Sequence, residues 1–60
     1  MEYLINVLLT NGDIFSREYE TMKLATDAFN KLINNPLVIF ASLHDGDDNE
    51  MLVIDNTTTL

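Results

Sequence analysis

The dipeptide Asn11-Gly12 stands between two runs that suit extended chain, YLINVLLT over 3–10 and DIFSREYE over 13–20. Asn-Gly so flanked is a strong hairpin signal, because a tight type I′ turn needs φ > 0 at both central residues and these types adopt it with least strain. A two-residue turn here sets Leu9 opposite Ile14, Leu8 opposite Phe15, Val7 opposite Ser16 and Leu4 opposite Tyr19. Side chains alternate across a strand, so this register decides which residues share a face.

The next segment changes period. In TMKLATDAFNKLIN, 21–34, Met22, Ala25, Ala28, Phe29, Leu32 and Ile33 share one helical face, and Lys23, Asp27, Asn30 and Asn34 the other. Thr21 is placed to cap the helix, and Pro36 ends it by disfavouring helix at Asn35. LVIFASL at 37–43 and MLVID at 51–55 are two more strands, joined by the loop HDGDDNE with Gly46 as its left-handed residue. NTTTL, 56–60, is expected to be a frayed tail.

This order predicts an α+β fold, ββαββ: one domain over 1–60, with a four-stranded sheet and one helix packed across one face. A chain this short buries only about 60% of the surface it exposes when unfolded. It has no cysteine and so no disulfide to help. Its 47% hydrophobic content nevertheless argues against disorder. The layout resembles the immunoglobulin-binding domain of streptococcal protein G: a hairpin, the helix TMKLATDAFNKLINN, then a strand and an acidic turn. The resemblance covers nearly the whole chain but lies in plan, not motif, and carries over no binding residue. It implies a sheet ordered second, first, fourth, third, with the first and fourth strands parallel at the centre. In size, acidity and layout the chain is also similar to small acidic proteins encoded by phages and prophages.

The net charge is −7, and Arg17, Lys23 and Lys31 are the only basic residues. No basic patch can form to displace counterions, so direct nucleic-acid binding is not expected. Repulsion should keep the chain off anionic membranes, and a partner protein with a basic surface is favoured. The opening MEYLINVLLTNGD lacks the basic region and small-residue site of a signal peptide, and its apolar run is far shorter than a membrane span. A cytoplasmic protein is the expectation.

The two-residue turn puts Leu4, Leu8, Phe15 and Tyr19 on one face, which suits the helix. It leaves Tyr3, Ile5, Val7, Leu9 and Ile14 on the other as an apolar interaction face. One helix cannot cover both faces, and a large uncovered apolar patch usually marks an interface. Removing about 400 Å² of apolar surface from water is worth on the order of 10 kcal/mol before association costs. A homodimer is one expected use of that face.

HDGDDNE places Asp45, Asp47, Asp48 and Glu50 together as an acidic recognition surface. Asp45, Asp47 and Asn49 match the first ligand spacings of a calcium loop, but Glu50 stands where its glycine belongs and Asn56 where its bidentate glutamate belongs. One histidine without a second histidine or a cysteine makes a poor zinc set. No metal or other cofactor is expected. Ser42 and His44 point to the same side of a strand, but without a third group to orient the histidine no catalytic residue is expected. The expected function is a small acidic, non-enzymatic protein-interaction module, of the kind phages use to inhibit a host protein. Its alternatives are a nucleic-acid mimic that occupies a DNA- or RNA-binding protein, and a structural homo-oligomer component.

Overall fold

The chain forms β1 (Tyr3–Leu9), β2 (Ile14–Tyr19), α1 (Met22–Ile33), β3 (Val38–His44) and β4 (Glu50–Asp55). The structure, a computed structural model, describes residues 2–55, and the tail expected over 56–60 lies outside them. The fold is α+β, with four strands in one sheet ordered β2-β1-β3-β4 and every neighbouring pair antiparallel.

That order departs from the one the protein G resemblance implies. β3, not β4, lies beside β1, and it runs antiparallel to it. The reason is burial. Val38, Ala41, Ser42 and Leu43 of β3 are all buried, as suits a strand flanked by others on both edges. In β4 every residue but Ile54 is exposed, and that strand takes an edge.

The first hairpin also corrects its expected register. Leu8 pairs with Ile14, Val7 with Phe15, Asn6 with Ser16 and Tyr3 with Tyr19. The turn is one residue longer than Asn-Gly alone provides. The Leu9 N–H donates to the Asp13 carbonyl at 2.9 Å and the Gly12 N–H to the Leu9 carbonyl at 3.0 Å. Gly12 has φ +91°, while Asn11 stays at negative φ and its Oδ1 accepts the Asp13 N–H at 2.9 Å. This is a type I turn followed by a left-handed glycine, the usual three-residue hairpin loop. A shift of one residue exchanges the faces of a strand relative to its partner.

Thr21 caps α1 as expected: its backbone is extended and its Oγ1 accepts the Leu24 N–H at 3.2 Å. Pro36 sits in a turn closed by the Val38 N–H to the Asn35 carbonyl at 3.1 Å, with Asn35 Oδ1 accepting the Leu37 N–H at 2.9 Å. Ala25 and Phe29 of α1 pack on Ile5, Val7, Val38, Ala41 and Leu43 to make the core, with Tyr3, Leu9, Tyr19, Ala28, Leu32 and Ile54 around it. No helix among the described residues is long and apolar enough to cross a membrane.

Candidate functional site

The helix covers one side of the sheet, and the pairing places the other side in rows. Ile14, Leu8 and Phe40 form one row, Ser16, Asn6 and Ser42 the next, and Glu18, Leu4 and His44 the third. β4 extends them with Asp55 beside Phe40, Val53 beside Ser42 and Glu50 beside His44. Ile14 is 76% exposed and Val53 46%, so apolar area here faces water. In the middle row the Ser16 hydroxyl donates to Asn6 Oδ1 at 2.6 Å, which satisfies the one amide set among apolar neighbours of β1. Among the described residues this face carries carboxylates at Glu18, Glu50 and Asp55 and no lysine or arginine.

The residues expected to form the apolar interaction face are therefore redistributed. Ile5 and Val7 are buried beneath α1, and Tyr3 and Leu9 pack against that core. Only Ile14 stands on the open face, because the longer turn pairs it with Leu8. Leu4, Leu8, Phe40 and Val53 take the places expected for Tyr3, Ile5, Val7 and Leu9. The signal for this was Asn6. It alternates with Leu4 and Leu8, and an amide under a helix would need a buried partner.

The acidic loop divides its carboxylates by role. Asp45 Oδ1 accepts the N–H groups of Asp47 at 2.9 Å and Asn49 at 3.0 Å. The Asn49 N–H above all holds the Asp45 carboxyl below the usual carboxylate range, with that of Asp47 adding to it. Asp45 thus builds the loop. Asp47, Asp48 and Glu50 are exposed and remain as the acidic surface. The left-handed residue is Asp48, at φ 64°, and not Gly46. No group of three or more histidine, cysteine or carboxylate side chains among the described residues is placed to hold a metal ion.

His44 joins the loop to the open face. Its Nε2 lies 3.1 Å from Ser42 Oγ, and its Nδ1 lies 3.8 Å from Asp48 Oδ1. The connection resembles a serine–histidine–aspartate chain, but the geometry does not serve nucleophilic attack. Ser42 is buried at 3% exposure inside the sheet, and the Asp48 side chain is 93% exposed and beyond hydrogen-bond range of the ring. Beside His44 lies a hollow of about 240 Å³ bordered by Leu4, Glu2 and Glu18. Protonated Glu18 donates a hydrogen bond to the Glu2 carboxylate, and that bond, reinforced by the charge on Glu2, raises the Glu18 pKa.

No protein-family model matches the chain, and neither a curated protein nor a solved structure shows significant similarity to it.

Proposed function

We propose that the chain is a small acidic, non-enzymatic interaction module that docks its open sheet face on a partner protein and acts by occupying that partner's surface. The observation that carries this reading is the uncovered row Ile14–Leu8–Phe40, with Val53 beside it and only carboxylates as charged neighbours. An apolar centre with a charged rim is the anatomy of an interface. The complementary partner has an apolar patch ringed by lysine or arginine. Two copies meeting face to face would set Glu18, Glu50 and Asp55 against groups of the same sign, which weighs against a homodimer. The apolar row weighs equally against a nucleic-acid mimic, whose contacts would be carboxylates throughout.

Light scattering after gel filtration, at micromolar concentration in physiological salt, should give a monomer. Immobilised chain should then retain a partner that the Ile14→Asp/Val53→Asp double variant releases, and the purified pair should survive high salt, since apolar contacts are not screened. A dimer that Ile14→Asp dissociates would replace the reading with self-association. Binding that collapses with salt yet tolerates both substitutions would replace it with mimicry.

A further inference from the structure

On the opposite side of the sheet, α1 lies over β1 and β3 and leaves a groove of about 550 Å³ between itself and β2. That volume is within the range of small-ligand sites, about 300–1,000 Å³. Its floor is Ile5 and Val7, and Phe15 and Leu24 stand on its two walls with 42% and 54% of their surface open to water. Among the described residues that line it, the cationic ones are Arg17 on β2 and Lys31 on α1, two of the three basic residues in the chain. Neither is in an ion pair among the described residues, whereas Asp27, the one carboxylate on the groove, lies 3.7 Å from Lys23.

A chain of net charge −7 thus places two cationic side chains, neither in an ion pair among the described residues, on one apolar cleft. We propose that this groove binds an amphiphilic monocarboxylate, with its alkyl chain between Phe15 and Leu24 and its carboxylate on Arg17 and Lys31. Guanidinium and ammonium groups give a carboxylate charge-assisted hydrogen bonds, and the exposed aromatic and leucine side chains gain by covering an alkyl tail. The site is independent of the open face, which lies across the sheet.

The sign of the ligand charge makes the test sharp, because the overall charge of the chain attracts a cationic amphiphile and repels an anionic one. Dodecanoate and dodecyltrimethylammonium, both below micelle formation, are titrated into the ¹⁵N-labelled full chain. Dodecanoate should bind saturably, with shifts centred on Phe15, Arg17, Leu24 and Lys31, and at least about ten-fold tighter than the ammonium compound. The exposed Arg17→Gln/Lys31→Gln double variant should keep its fold, as its amide spectrum will report, and erase that preference. Equal or tighter binding of the ammonium compound, shifts centred on Leu8, Ile14 and Phe40, or absence of saturation would each overturn the proposal.

Discussion

Gly12 and Asp48 hold the same position in the two hairpin loops. In the second loop the Asp45 N–H donates to the Asn49 carbonyl and the Asp48 N–H to the Asp45 carbonyl, each at 3.0 Å, repeating the pattern of Leu9, Gly12 and Asp13. Gly12 has φ +91° and Asp48 φ 64°. Left-handed backbone costs a residue with a Cβ more than it costs glycine. Asp48→Gly should therefore stabilise the protein by about 0.5–1 kcal/mol and Gly12→Ala destabilise it by about 1 kcal/mol. A Cβ on Gly12 would meet nothing within 4 Å, so that loss isolates the backbone term. Urea denaturation of the two variants measures both signs.

The register of the first hairpin predicts a sharp contrast between two isoleucines on opposite faces of adjacent strands. Ile5 is 1% exposed and Ile14 76%. Ile5→Ala should cost about 2–4 kcal/mol, while Ile14→Ala should fall within about 0.5 kcal/mol of neutral. Ile5→Asp should not fold, since it buries an unpaired charge. If thermal melts gave the two alanine variants equal losses, the assignment of faces would be reversed.

Ser16 and Asn6 supply a third comparison. Their 2.6 Å bond crosses the open face between Leu4 and Leu8 of β1. Ser16→Ala should cost about 1 kcal/mol by leaving a half-buried amide oxygen without its donor, and replacing Asn6 by Val in the same chain should recover part of that loss. A double-mutant cycle in urea reads the coupling.

Two carboxylates give the pH dependence opposite signs. Glu18 has its pKa raised above 4.5 by Glu2, so the folded chain holds that proton to higher pH than the unfolded chain. Its contribution falls as pH rises through the folded value. Asp45 has its pKa lowered below 3.8, so its contribution is present above the unfolded value and is lost as pH falls through the folded one. Glu2→Gln should bring Glu18 back toward 4.5 in a carboxyl NMR titration. Asp45→Asn should remove the acid-side loss and leave the amides of Asp47 and Asn49 exchanging faster.

The elements of this fold were legible because each had a local cause: the period of the 21–34 segment, the Thr21 cap, the stop at Pro36 and the two turns. The register was not, since Asn-Gly suits both a two-residue turn and the last two places of a three-residue loop, and only Asn6 argued between them. Strand order is a tertiary choice between two apolar strands, and the more deeply buried β3 takes the inner place with a strand on each edge. Of the candidate site, the acidic loop and Ile14 could be found in the sequence. Leu8, Phe40 and Val53 could not, because their grouping depends on that register and order.

Among the described residues the ladder between β1 and β3 is the one that joins segments distant in sequence, since each of the other two is closed by its own short loop. Folding then has one slow act of closure, in which α1 must bring β3 back against β1. Val7 and Ala41, paired across that seam, should slow folding when truncated. Changes in the two loops should be felt more in how fast the chain comes apart. A sheet closed at a single long-range seam is also open to exchange: two chains could trade their second hairpins at that seam without losing a backbone hydrogen bond within any strand pair.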